Sequence, residues 1–118
     1  MIGFARADVL INRNRHKVAV VGDGAFTGGM VYEAMNDAGS KGDDILLIIN
    51  DNGFAIEENV GALHDSGEYK EFCTSLGWNF IDGHINGNNI AELIPRIKQA
   101  LKHKGPRVLH VKTLSLIH

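Results

Sequence analysis

A chain of 118 residues with 44% hydrophobic and 22% charged residues has the composition of one soluble globular domain with its own core. A formal net charge of -2 gives no electrostatic basis for binding nucleic acid or an anionic membrane, and no apolar run approaches the roughly 20 residues that span a bilayer. The single cysteine, Cys73, excludes an internal disulfide and fits a reducing compartment; residues 1–14 carry no export signal, so the expectation is a cytoplasmic protein.

No repeat, low-complexity stretch or linker divides the chain, and residues 1–118 read as a single domain. The β-branched run 18–21 stops at Gly22 and predicts a buried strand. Met30, Val31, Ala34, Met35 and Ala38 then fall on one helical face, with Thr27 as the expected N-cap and Gly39 as the C-terminal stop. Residues 45–49 form a second apolar run without polar alternation, as in a parallel strand covered on both faces. That run ends in the turn formers Asn50-Asp51-Asn52-Gly53, and the stretch from there to His64 reads as loop.

Asp65 and Glu68 have capping-box spacing, followed by Tyr69, Phe72, Cys73 and Leu76 at helical intervals and Gly77 as a stop. Residues 78–81 make a short strand candidate. Ile90, Leu93, Ile94, Ile97 and Leu101 mark a last helix, which Pro95 is expected to kink or to start later. Residues 107–112 read as a final strand. Strand and helix alternate, so the fold class is α/β with a mostly parallel sheet and helices on both faces.

The segment with chemical content is Gly22-Asp23-Gly24-Ala25, directly after a strand and before a helix. Ligands of doubly wound sheets bind beyond the carboxyl ends of the strands, and two glycines allow close approach of backbone to phosphate. A carboxylate in such a loop would repel a diphosphate unless a cation lies between them. Magnesium suits that position, because it takes a few oxygens from protein and the rest from phosphate and water. The next strand ends at the same sheet edge in Asn50-Asp51-Asn52, whose amide and main-chain oxygens can supply the remaining protein donors.

Gly-Asp-Gly followed by Asn-Asp-Asn resembles the diphosphate/magnesium signature of thiamine-diphosphate enzymes. The narrower wording is similar to the 1-deoxy-D-xylulose-5-phosphate synthase family. Phe26-Thr27-Gly28-Gly29-Met30, Tyr32-Glu33-Ala34-Met35-Asn36, residues 58–63, Asp82-Gly83-His84 and residues 104–112 carry the likeness. The resemblance implies the thiamine-diphosphate-binding fold, a transketolase-like transferase activity and the cofactors thiamine diphosphate and magnesium. The implied reaction takes a two-carbon unit from pyruvate, with loss of carbon dioxide, to glyceraldehyde 3-phosphate, feeding isoprenoid synthesis. Residue by residue, Asp23 and Asn52 would be magnesium ligands through side chains and Phe54 through its backbone oxygen. Gly22, Gly24 and Ala25 would line the diphosphate, and His84 would lie on the substrate side.

The family's activating glutamate comes from a second domain, and its sites form across a subunit interface. The resemblance therefore implies a homo-oligomer or a partner chain, and inactivity of these 118 residues alone. A non-catalytic shortened module and half of a split enzyme are the alternatives. A dinucleotide-binding Rossmann unit is a further one: Gly22-x-Gly24 starts its fingerprint and Asp51 would be the ribose acid, but Asp23 between the glycines argues against it. Cys73, Met30 and Met35 read as packing, Glu57 and Glu58 as solvated loop carboxylates, and His110 as packed or at the surface.

Overall fold

A computed structural model gives the fold for residues 1–26, 28–52 and 69–113; of residues 82–84 it describes the backbone only. In chain order the elements are α1 (Ile2–Leu10), β1 (Val18–Gly22), α2 (Asp23–Phe26), α3 (Gly29–Lys41), β2 (Leu46–Asp51), α4 (Tyr69–Ser75), β3 (Asn79–Asn86), α5 (Ile90–Lys102) and β4 (Arg107–Lys112). The four strands form one sheet in the order β1-β2-β4-β3, and every pairing is parallel. The expected α/β class with a parallel sheet is what the chain adopts.

The order of the strands explains where the helices lie. Successive parallel strands joined by right-handed crossovers place their helix on one face, and reversing the direction of travel moves it to the other. The chain moves from β1 to β2 and on to β3 in one direction, then turns back to insert β4. One core accordingly gathers Ala5, Met35, Ala38, Tyr69 and Cys73 from α1, α3 and α4 against Leu47, Ile49 and Val108. The opposite core gathers Leu93, Ile97, Ala100 and Leu101 of α5 against Leu46, Ile85, Leu109 and Val111. Central β4 is buried from Arg107 through Val111, whereas Val20 of edge strand β1 is 66% exposed.

Several boundaries differ from expectation, each for a local reason. The ladder carries β2 through Asn50 and Asp51, because Asn50 pairs with Val111 and Asp51 with Lys112, and main-chain pairing does not require apolar side chains. β3 runs on past Ile81 to Asn86, with a register shift between Ile81 and Ile85 that absorbs the Asp-Gly-His segment. Gly39 is not a helix stop. α3 continues to Lys41 and is capped by Gly42 in the left-handed region at φ 70. Gly77 does follow the end of α4, at φ 86.

α5 begins at Ile90 and holds Pro95 within it. Thr27, Glu57, Glu58 and the capping-box pair Asp65 and Glu68 lie outside the described residues. The N-cap position of α3 is taken by Gly28, not Thr27, and Met30, expected to pack, is 84% exposed in the first turn of that helix. α1 was not legible in the sequence, since its apolar residues point all ways: Phe4, Val9 and Leu10 are exposed while Ala5 is buried. Its anchor is polar, a buried Asp8 whose carboxylate accepts from Arg15 Nη2 at 2.6 Å and Nε at 3.1 Å. That guanidinium holds the Asp8 carboxyl below its usual range. A second polar tie sits at the start of β4, where Arg107 donates to Asp44 Oδ1 at 2.6 Å and to the carbonyls of Ala100 and Gly105.

Candidate functional site

Parallel pairing brings all strand carboxyl ends to one edge of the sheet. Gly22 of β1 is aligned with Asn50 of β2, so Asp23 and Asn52 follow one and two residues beyond a paired position on neighbouring strands. Asp23 opens the short helix α2 and is 1% exposed. Gly24 and Ala25 lie in the same turn, and Asn52 is half-buried just past β2. Phe54 lies outside the described residues. His84 belongs to β3 by its backbone, and its side chain is likewise outside the description.

Gly22 is a glycine for reasons other than strain or crowding. Its φ is not positive, and among the described residues a Cβ built there meets nothing within 4 Å. No described residue therefore crowds the backbone at this strand end, which suits close approach of a phosphate-bearing ligand. By contrast, a Cβ at Gly28 would sit 3.1 Å from the Ala25 carbonyl, so the turn into α3 is tight.

Asp23 is under electrostatic load. Burial pushes its carboxyl up from the ordinary value, and the hydrogen-bonded Asp51 carboxyl beside it pushes the same way. Backbone N–H groups of Asp23 and Gly24 donate to it and act in the opposite sense, so the Gly24 N–H faces the carboxylate in this state. Asp51 in turn lies 2.9 Å from His110 Nε2. His110 packs on Tyr69 at 4.8 Å between ring centroids, and Tyr69 packs on Phe26 of α2. Burial, with Asp51 and Asp23 nearby, pushes the Tyr69 phenol up to about 12, so this ring stays neutral at any physiological pH.

The donor chemistry fits a hard cation. Two carboxyls share a desolvated site in which a proton or a positive ion must offset their repulsion, and an amide oxygen source follows on the adjacent strand. Among the described residues no group of three His, Cys, Asp or Glu side chains could hold a metal ion.

The raised Asp23 value has a pH consequence. The native state keeps this proton to a higher pH than the unfolded chain, so the stabilisation is complete below the unfolded value and is lost as pH rises through the native one. In chelator, denaturation from pH 4 to 8 should show Asp23→Asn gaining stability relative to wild type as pH rises. A difference that stays constant with pH would contradict it.

Sequence reasoning assigned neither Asp51 nor His110 to this cluster. The signal present was a histidine inside the otherwise apolar strand 107–111, a polar residue that had to find a buried partner. The reading of Asp51 as a ribose acid does not match its contacts with Asp23 and His110.

The model of the 1-deoxy-D-xylulose-5-phosphate synthase family matches residues 1–71. A 1-deoxy-D-xylulose-5-phosphate synthase of Listeria monocytogenes is 37% identical over 129 residues, covering 92% of this chain and 21% of the relative. One of Francisella philomiragia is 33% identical over 153 residues, covering 95% of this chain and 25% of the relative. Both alignments are longer than the 118-residue chain, so these relatives carry additional residues within the matched stretch. The chain thus spans about a quarter or less of the length of these relatives.

Among solved structures, a protein from Mycobacterium smegmatis described as a thiamin diphosphate-dependent enzyme superposes with TM-score 0.72 at 24% identity, over 96% of this chain and 20% of that one. Transketolase from Campylobacter jejuni superposes with TM-score 0.68 at 26% identity, over 83% of this chain and 15% of that one. Among the described residues no helix is long and apolar enough to cross a membrane. The chain belongs to the 1-deoxy-D-xylulose-5-phosphate synthase family.

Proposed function

We propose that the carboxyl edge of β1 and β2 holds the diphosphate of thiamine diphosphate through a magnesium ion. The observation that carries this reading is the buried Asp23 carboxyl, disfavoured as an anion by burial and by Asp51, next to Gly22, whose backbone no described residue crowds. Asp23 and Asn52 would hold the ion through side-chain oxygens, with Phe54 adding its main-chain oxygen. Gly22, Gly24 and Ala25 would line the diphosphate, and Gly24 would exchange its contact with Asp23 for one to phosphate.

The reaction proposed is that of the family name: two-carbon transfer from pyruvate to glyceraldehyde 3-phosphate, forming deoxyxylulose 5-phosphate and carbon dioxide. Bound thiamine diphosphate supplies the carbon nucleophile and the electron sink for that chemistry. The residues described here bind and orient. Asp23 fixes one end of the cofactor, while buried Phe26 and Tyr69 exclude water behind it. His84 is assigned to the substrate side.

Binding to the native state alone must raise thermal stability by mass action. Thiamine diphosphate at about 100 times its dissociation constant should contribute about 2.7 kcal/mol, and only when magnesium is present. A melting temperature unmoved by cofactor plus magnesium, or moved equally by NAD without the ion, would contradict the reading. The reaction is further assigned to an oligomer or to a complex with a partner chain. Exposed Val20 on edge strand β1 and exposed Phe4 and Leu10 on α1 support this. Sedimentation showing only a monomer at high concentration, with no co-purifying chain, would remove it.

A further inference from the structure

We propose that His110 is a positioning residue for the cation site, holding the Asp51 carboxylate so that Asp51 sets the orientation of Asp23. The inference rests on the reading of the Asp23 edge as a magnesium-diphosphate site and goes beyond it, because neither His110 nor Asp51 belongs to the ligand set. The geometry starts in the sheet register. His110 of β4 pairs with Ile49 of β2, and Asp51 lies two residues beyond Ile49, hence on the same face. The two side chains meet diagonally across the strands, with Nε2 2.9 Å from Oδ2. With the Asp51 oxygen as acceptor, the imidazole nitrogen in that contact is the donor.

His110 has little freedom to do otherwise. It is 7% exposed and lies against the rings of Tyr69 at 4.8 Å and Phe80 at 6.3 Å. Tyr69 is itself 4% exposed and packs on Phe26, three residues after Asp23. One aromatic stack thus runs from β3 and β4 to the turn that carries Asp23. The backbone of the β2 end is held as well. Thr113 donates its N–H to the Asp51 carbonyl at 2.9 Å, and its hydroxyl to Asn50 Oδ1 at 2.8 Å. Asp51 is therefore fixed by main chain and side chain immediately before Asn52. A carboxyl group so held beside Asp23 selects the rotamer of Asp23 without itself ligating the ion. Groups that orient ligands in this way are worth roughly 10–100-fold in metal affinity.

The test compares His110→Phe, which fills the ring space without a donor, with His110→Gln, whose amide N–H can still reach Asp51. Calorimetry of the full chain with thiamine diphosphate would give the magnesium concentration needed for half-maximal binding, alongside unfolding in chelator. His110→Phe should raise that concentration roughly 10-fold or more, and His110→Gln should restore most of it even where the two are equally stable. Equal magnesium requirements in wild type and His110→Phe would overturn the inference, as would a requirement that tracks only stability across the variants. If His110→Phe does not fold, Asp51→Asn decides: an unchanged magnesium requirement overturns it. A wild type without magnesium-dependent binding would overturn the proposed function, and this inference with it. Wild-type binding that His110→Phe leaves intact overturns the inference alone.

Discussion

Asp23→Ala is expected to weaken magnesium-dependent binding of thiamine diphosphate by at least about 100-fold, the order seen when one partner of a buried charge contact is truncated. The same substitution should leave the fold intact, or make it more stable, at neutral pH in chelator. This pairing follows from the position of the side chain. Asp23 is almost fully buried, and both burial and Asp51 disfavour its ionised form, so the polypeptide without an ion loses little when the carboxyl is removed. A residue that costs the fold stability and is indispensable to the ligand is where stability and function trade against each other. Binding titrations and urea denaturation on the same variant check both halves. Retained magnesium-dependent binding would show that the ion, if bound, uses other oxygens.

Gly39→Ala is expected to destabilise the domain by about 3 kcal/mol or more, a large share of the stability of a domain this size. Helix propensity alone predicts the opposite sign, because alanine in a helix interior is favoured over glycine by about 1 kcal/mol. Packing decides. A Cβ at Gly39 would lie 1.8 Å from the carbonyl oxygen of Leu76, which is main chain and cannot rotate away. A Cβ at Gly77 would in turn lie 3.2 Å from the Gly39 carbonyl oxygen, so α3 and the segment just after α4 approach backbone to backbone. Trp78 Nε1 donates to the Met35 carbonyl at 2.8 Å one turn earlier, pinning the same contact. Gly42→Ala is the control: its φ is 70 but nothing lies within 4 Å, so it should cost only about 1–2 kcal/mol. Shifts in denaturation midpoint at unchanged slope give both values. A Gly39→Ala protein as stable as wild type would contradict the close approach.

The sequence displayed the elements that the sheet buries on both faces and obscured those held by contact with something distant. β2 was legible as an unbroken apolar run, which is how a central parallel strand must read. β1 reads the same way and was expected to be buried, yet it lies at the sheet edge with Val20 exposed, and buried β4 carries Arg107 and His110 among its apolar residues. The polar end of β2 was not legible, because Asn50 and Asp51 stay in the ladder through main-chain bonds to β4. Gly39 carried a helix-stop signal that a long-range contact overrides. α1 shows no apolar stripe, and its buried carboxylate depends on Arg15 and Lys17 beyond the helix.

In the site, Asp23 stood out because a carboxylate in a phosphate loop demands a cation. The Asp51–His110 pair lies 59 residues apart in sequence and is made neighbours only by insertion of β4 between β2 and β3.

The central claim is that a divalent ion joins Asp23 to a diphosphate, and calorimetric titration of wild-type chain with thiamine diphosphate tests it most directly. With magnesium in excess, saturable binding should appear. With magnesium replaced by chelator, the binding heat should vanish. Binding of equal strength in chelator, or none in either condition, would contradict the account.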